Sequence, residues 1–289
     1  MTAKYAYYPG CSLHSTGSEY DVSFRVVCEE LGIEIEEING WICCGTSPAH
    51  CTSRLLSLAL PYENLRQAKN MGLNDVVAPC ASCFARLKTA VHEAGQDPKL
   101  AEQISEAIDA PLPESMSVLS PLEIFGHDVD LTEKVTRSLP DLKVACYYGC
   151  LLTRPSKVMQ FDECEYPMTM DHILRAVGIE TLDWSYKTEC CGGALAMTRT
   201  DVVLKLTHDL FEEVKNIGAN AIAVACPLCH VNLDTRQAEV EQEYGTQYGI
   251  PVFYFTQLMA LAFGVSPDKL GLKKHFTRPD ALLSGISQE

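Results

Sequence analysis

The sequence predicts an α/β protein made of two tandem domains with mostly parallel sheets, related by a pseudo-twofold axis. Two observations carry this expectation. The 289-residue chain repeats one cysteine pattern in each half. Each repeat is also threaded through the same alternation of short apolar runs and helical segments. Such alternation marks parallel sheets covered by crossover helices.

The elements can be taken in chain order. "KYAYYPG" and "LKVACYYG" are β-rich runs that end at a glycine, and each is followed by a cysteine, Cys11 or Cys150. "SRLLSLALPYENLRQAKNMG" and "TRTDVVLKLTHDLFEEVKNIG" read as helices closed by a C-terminal glycine. "NDVVAPC" and "NAIAVAC" are short apolar runs between polar residues, the pattern of a buried parallel strand. Helical patterns follow them in "ASCFARLKTAVHEAG" and "LCHVNLDTRQAEVEQEYG". The halves also end alike, in "SVLSPLEIFG" and "PVFYFTQLMALAFG". The polar stretch from Gly126 to Lys143 is the expected linker, giving domains over residues 1–130 and 131–289. Under a pseudo-twofold axis, equivalent loops would face one shared cleft.

Hydrophobic residues make up 47% of the chain, enough for packed cores, and the formal charge is −15. An acidic surface argues against nucleic acid and anionic membranes as partners. The N-terminal residues lack the basic and apolar regions of a signal peptide. No run approaches the ~18 apolar residues of a membrane span. A cytoplasmic location without a membrane span is therefore expected.

Fourteen cysteines are the compositional anomaly. In a reducing compartment a disulfide framework is not expected, and metal or cluster ligation leads. The first half carries Cys11, Cys43-Cys44-Gly45 and Cys80-x-x-Cys83. The second carries Cys150, Cys190-Cys191-Gly192 and Cys226-x-x-Cys229. The first gaps hold 31 and 39 residues, the second 35 and 34. Cys11, Cys80, Cys150 and Cys226 each close an expected strand, where open α/β sheets place their sites. The C-x-x-C pairs then open helices whose N-terminal amides favour thiolate. The glycine after each vicinal pair lets backbone approach a bulky group.

Each half thus supplies five thiols, one more than a structural zinc or a cubane cluster takes. Vicinal sulfurs can reach adjacent metals of an open multi-iron cluster. Four ligands with one spare thiol per half remains the alternative from counting alone.

The pattern resembles the cysteine-rich CCG domain family, and two complete copies in a chain of this length resemble the B subunit of heterodisulfide reductase. That resemblance implies two noncubane 4Fe-4S clusters. One would be held by Cys11, Cys43, Cys44, Cys80 and Cys83. The other would be held by Cys150, Cys190, Cys191, Cys226 and Cys229. It also implies reduction of the coenzyme M–coenzyme B disulfide to two thiols. A disulfide between two one-electron centres, one per half, matches that duplication. The chain has no ferredoxin-type cysteine run and no G-x-G-x-x-G loop. The resemblance supplies the missing electron path: a small ferredoxin-like subunit is the direct electron donor, and a flavin-containing subunit stands behind it. Other CCG oxidoreductases (glycolate or lactate oxidation, quinone-linked fumarate or succinate chemistry) and a zinc-stapled scaffold are the competing readings.

Anionic substrate groups would need cationic or amide donors. His14, His50, Arg86, Arg154, Lys187 and His230 lie near the cysteines in sequence and are the candidates. Cys226-Pro227-Leu228-Cys229-His230 matches a haem-attachment pattern. It is rejected, because the parallel Cys80–Cys83 pair lacks the histidine. Cys28 reads as core. Cys146 is placed on the face of Cys150 by strand periodicity. Trp41 and Trp184 precede the vicinal pairs as packing or shielding residues.

Overall fold

Short segments of three to five residues between turns form the strands of the computed structural model, which describes residues 3–46, 48–126 and 130–284. The first half runs β1 (Lys4–Tyr7), α1 (Gly10–Leu13), α2 (Ser18–Leu31), β2 (Glu34–Glu37), α3 (Pro48–Thr52), α4 (Arg54–Asn70), β3 (Asp75–Val77), α5 (Ala81–Gln96), α6 (Pro98–Ala107), β4 (Ser117–Leu119) and α7 (Pro121–Gly126). The second runs β5 (Lys143–Tyr147), α8 (Ser156–Met159), α9 (Thr169–Ala176), β6 (Glu180–Leu182), α10 (Thr200–Asn216), β7 (Ala221–Val224), α11 (Pro227–Tyr244), β8 (Val252–Tyr254) and α12 (Phe255–Ala262). The expected linker contains residues 127–129, which lie outside the described residues.

The sheets are parallel throughout and share one topology, β2-β1-β3-β4 and β6-β5-β7-β8. Crossover helices cover them, so the central strands are buried and read as continuous apolar runs. Ala221–Val224 is buried at every position. The edge strand β2, Glu-Ile-Glu-Glu, is half exposed and too charged to announce itself as a strand. Helices α4 and α10 end just before Gly72 and Gly218, whose positive φ lets the chain turn away from the helix.

The halves pack reciprocally. Helix α2 lies on α12 while its counterpart α9 lies on α7; α1 meets α11 while α8 meets α5. Such exchange of equivalent partners is the signature of a twofold relation. The seam is apolar and aromatic. Tyr20 stacks on Tyr254 with centroids 4.4 Å apart, and Phe125 tilts against Phe255 at 6.1 Å. Ser23 and Thr256 share a buried hydrogen bond of 2.7 Å.

Candidate metal centre

The two central strands of each sheet end beside each other and deliver the cysteines to one edge. Tyr7 pairs with Val77 and Tyr147 with Val224. The turns after β1 and β5 pass through Gly10 (φ +65°) and Gly149 (φ +69°). A Cβ on Gly10 would sit 2.9 Å from Cys83 Sγ, and one on Gly149 would sit 3.1 Å from Cys229 Sγ. Glycine is required twice over at these turns: for the left-handed backbone, and for closeness to the second sulfur of each C-x-x-C.

A second duplicated device fixes the vicinal pairs. The Tyr8 hydroxyl donates to the Ile42 carbonyl at 2.8 Å, and the Tyr147 hydroxyl donates to the Glu189 carbonyl at 2.6 Å. In each half the accepting carbonyl immediately precedes the vicinal cysteines. Each tyrosine also packs against the tryptophan of its loop: Tyr8 edge-on to Trp41 at 5.7 Å, Tyr147 tilted to Trp184 at 6.2 Å. The tryptophans therefore brace the loop through the tyrosine, and the Trp184 indole donates to the Cys146 carbonyl at 2.9 Å.

The sulfurs then meet in matching pairs. Cys44 Sγ lies 3.3 Å from Cys83 Sγ, and Cys191 Sγ lies 3.7 Å from Cys229 Sγ. The Gly45 and Gly192 amides point at Cys43 Sγ and Cys190 Sγ, at 3.4 and 3.3 Å. Cys11 interacts with Cys43, and Cys150 with Cys190. Hydrogen bonding from the Cys83 thiol and from Thr46 lowers Cys44 to about 6, and the Cys150 thiol with the Gly192 amide lowers Cys190 to about 6. Each half therefore holds a thiolate-ready cysteine. Across the seam Ala81 and Ser82, which follow Cys80, line one pocket with Cys150, Cys190, Cys191, Cys226 and Cys229, so the two sulfur groups are neighbours. Among the described residues, no three or more His, Cys, Asp or Glu side chains close around a single ion. Two sets of five soft donors, with glycine at each close approach, suit a multi-iron sulfur cluster better than a tetrahedral zinc.

The surroundings of the two groups differ. Beside the second, Leu151, Ala194 and Leu228 line a small apolar pocket that also contains Cys150, Cys190 and Cys229. The C-x-x-C of the first half carries Ser82 where the second carries Leu228. The Thr46 hydroxyl lies 3.2 Å from Cys44 Sγ, and Arg86 acts on the same sulfur through its charge.

The six substrate candidates divide. His50 and Arg86 come together, Nδ1 to Nη1 at 3.2 Å, and line one pocket with Arg54 and its ion-pair partner Glu93. His14 is exposed, packs edge-on to Trp41 and lies 3.2 Å from Glu37. Arg154 is tied to Glu165 and to the Thr188 hydroxyl. Lys187 and His230 are corrections to the sequence reading. Lys187 is fully buried, its Nζ 2.7 Å from Asp171, so sequence proximity to Cys190 misplaced it. Its carbonyl, not its amine, serves the site, accepting from the Tyr148 and Gly149 amides at 2.8 and 3.1 Å. His230 is buried, 2.9 Å from the Val252 carbonyl, and stacked on Tyr254. Cys146 is fully buried, and burial pushes its thiol well up, with the nearby Asp171 adding to the shift. Cys28 is core as expected.

Residues 5–88 and 144–234 both match the model of the CCG cysteine-rich domain. The chain belongs to the CCG family. This CCG chain is 30% identical to the 8-methylmenaquinol:fumarate reductase membrane anchor subunit of Wolinella succinogenes, over 94% of this chain and 96% of that one. It is 29% identical to the B subunit of the ferredoxin:CoB-CoM heterodisulfide reductase of Methanosarcina mazei, over 98% and 97%. Its fold matches the crystal structure of a hypothetical protein from Helicobacter pylori with a TM-score of 0.78 at 12% identity, covering 95% of this chain and 52% of that one. None of the described helices is long and apolar enough to cross a membrane.

Proposed function

We propose that this CCG chain is an iron–sulfur oxidoreductase subunit, and within that class the disulfide-reducing subunit of a heterodisulfide reductase complex in the cytoplasm. The observation that carries the reading is the convergence of Cys150, Cys190, Cys191, Cys226 and Cys229 on one pocket that Ala81 and Ser82 of the first half also line, with Cys44 and Cys83 paired at 3.3 Å beside it. Cys11, Cys43, Cys44, Cys80 and Cys83 would hold one noncubane 4Fe-4S cluster. Cys150, Cys190, Cys191, Cys226 and Cys229 would hold the other. Bound there, the clusters supply two one-electron centres for the two sulfurs of a disulfide.

The chain's own residues do the positioning. Gly10 and Gly149 let the turns close over the C-x-x-C sulfurs, and Tyr8 and Tyr147 hold the vicinal loops in place. Leu151, Ala194 and Leu228 present an apolar wall beside Cys150 and Cys190. Arg86 and His50 offer cationic and polar donors on the side of the first quintet. One apolar and one cationic side suit a disulfide with unlike arms, as in coenzyme M–coenzyme B. A ferredoxin-like donor subunit and a flavin-containing subunit behind it complete the electron path in this reading.

The test begins with iron, sulfide and zinc analysis of anaerobically purified protein. About eight irons are expected from two four-iron clusters. Stoichiometric zinc would leave only the scaffold reading. A viologen-linked assay of the complex with the coenzyme M–coenzyme B disulfide follows. A second reading, quinol-linked fumarate chemistry, is favoured by the likeness to the Wolinella protein. Oxidation of a methylmenaquinol without disulfide turnover would select it.

A further inference from the structure

Tyr20 and Tyr254 are both fully buried, and neither hydroxyl has a hydrogen-bond partner among the described residues. Burying an unpaired hydroxyl costs roughly 1–3 kcal/mol, so native proteins rarely leave one orphaned. Here two stand together: the rings stack across the seam with centroids 4.4 Å apart and planes 9° off parallel. Their surroundings place them beside the sulfurs. Tyr254 closes β8 in register with Val224, two residues before Cys226. A Cβ on Gly17 would lie 3.2 Å from the Tyr254 hydroxyl and 2.8 Å from Pro227, the residue after Cys226. His230, one turn beyond Cys226 on α11, covers the other face of the Tyr254 ring at 4.2 Å.

The pair has no structural need of its hydroxyls. Phe125 and Phe255 already pack in the same seam, with Phe255 edge-on to Tyr20 at 6.4 Å. The last paired row of the first sheet ends in Leu119 where the second ends in Tyr254. A phenylalanine would satisfy the packing, and although the Glu19 carboxylate is near Tyr254, neither phenol bonds to it, so the phenols point to another acceptor. Sulfur at the seam is that acceptor by position.

We propose that Tyr20 and Tyr254 tune the redox centre at the Cys80–Cys226 seam, their hydroxyls donating hydrogen bonds to the sulfur atoms of the iron–sulfur groups held there. The inference rests on the iron–sulfur reading above. A hydrogen bond to a cluster sulfur stabilises the more negative, reduced state and raises the potential. The device falls on one side of the pseudo-twofold axis, so the two centres acquire different potentials, and electrons are drawn toward the one nearer the phenols.

The experiment is an anaerobic potentiometric titration, followed by visible and electron paramagnetic resonance spectra, of the wild type and the Tyr20→Phe, Tyr254→Phe and Tyr248→Phe variants. Tyr248 is the control, since its hydroxyl is already engaged at 2.7 Å with Glu212, away from the seam. Iron content is measured on the same samples. Midpoint potentials that move to more negative values in Tyr20→Phe and Tyr254→Phe, with iron unchanged and Tyr248→Phe unmoved, support the proposal. Iron-replete variants with wild-type potentials overturn it and leave the iron–sulfur reading intact. A wild type that binds no iron overturns both.

Discussion

Cys80 and Cys226 lie near each other across the seam although 145 residues separate them in the chain: Ala81 and Ser82, which follow Cys80, line one pocket with Cys226. Each is the first cysteine of a C-x-x-C motif and each closes the central strand of its own sheet. Their nearness makes the two sulfur groups neighbours, and the first prediction follows from it. Cys226→Ala and Cys150→Ala each leave the first quintet complete, so iron should fall by about half in both. Only Cys226→Ala removes the sulfur near Cys80, so only that variant should also shift the spectrum of the remaining centre. Identical spectra in the two variants would show that the centres do not communicate through this pair.

Gly10 offers a sharper test because its backbone strain can be matched elsewhere. Gly10 and Gly32 have φ of +65° and +68°, but a Cβ on Gly32 meets nothing within 4 Å. Alanine at either position carries a left-handed cost of roughly 1–2 kcal/mol. Gly10→Ala should in addition lose about half the iron, because the new methyl occupies the approach to Cys83 Sγ. Gly32→Ala should lose stability alone. Equal iron in both, measured after anaerobic reconstitution, would mean that the close approach is not part of the site.

The tyrosine-to-carbonyl bonds bracing the vicinal loops give a third expectation. Removing one hydroxyl should cost about 1 kcal/mol and a few degrees of Tm. Tyr8→Phe and Tyr147→Phe should also release iron to a chelator faster than wild type, since the loop that carries two ligands is no longer pinned. A wild-type release rate would assign these tyrosines to packing alone.

Much of this was legible in the sequence. The duplicated cysteines and the apolar runs before Cys80 and Cys226 announce two parallel sheets, because a buried central strand has no polar face to hide. The charged edge strand β2 was not legible, since four residues of Glu-Ile-Glu-Glu carry too little pattern. Sites failed where sequence distance stood in for spatial distance. Lys187 lies three residues from Cys190 yet turns its amine inward to Asp171, and His230 follows Cys229 yet is buried against the Val252 carbonyl. The bracing tyrosines had a visible signal, a Tyr two residues before each Gly-Cys step, but their acceptor lies 34 or 42 residues away.

The buried Lys187–Asp171 pair leads to a fourth prediction. Both side chains have no solvent exposure, and Asp171 also accepts from the Tyr148 hydroxyl at 2.9 Å. Lys187→Met leaves a buried carboxylate uncompensated and should destabilise by about 3–5 kcal/mol. Adding Asp171→Leu removes that uncompensated carboxylate and should recover part of the loss; Tyr148 keeps accepting from the Met170 amide at 2.7 Å but its own O–H loses its acceptor. The folded fraction of either variant should retain wild-type iron. A raised KM for an anionic disulfide at unchanged stability would instead return Lys187 to the substrate.

His275 and His230 set the acid edge of stability. Both are buried, and their rings pack edge to face at 4.7 Å. Burial lowers His275 from 6.5 to about 4, with nearby Arg278 adding to the shift, and burial beside His275 lowers His230 well below 6.5. The folded protein thus keeps both neutral where the unfolded chain protonates them. Between pH 6.5 and about 4 the unfolded state binds more protons, so stability rises with pH across that window. The stabilisation is complete above 6.5 and drains away as pH falls; for His275 it amounts to about 3 kcal/mol. His275→Leu removes one of the two groups, and Gln257, which lies 3.1 Å from the His275 Nε2, keeps its bond to the Leu270 carbonyl at 2.9 Å. Urea unfolding from pH 5 to 7 should therefore show a slope shallower by about one proton in the variant. Parallel curves for wild type and variant would place the acid sensitivity elsewhere, with the cysteines as the next groups to test.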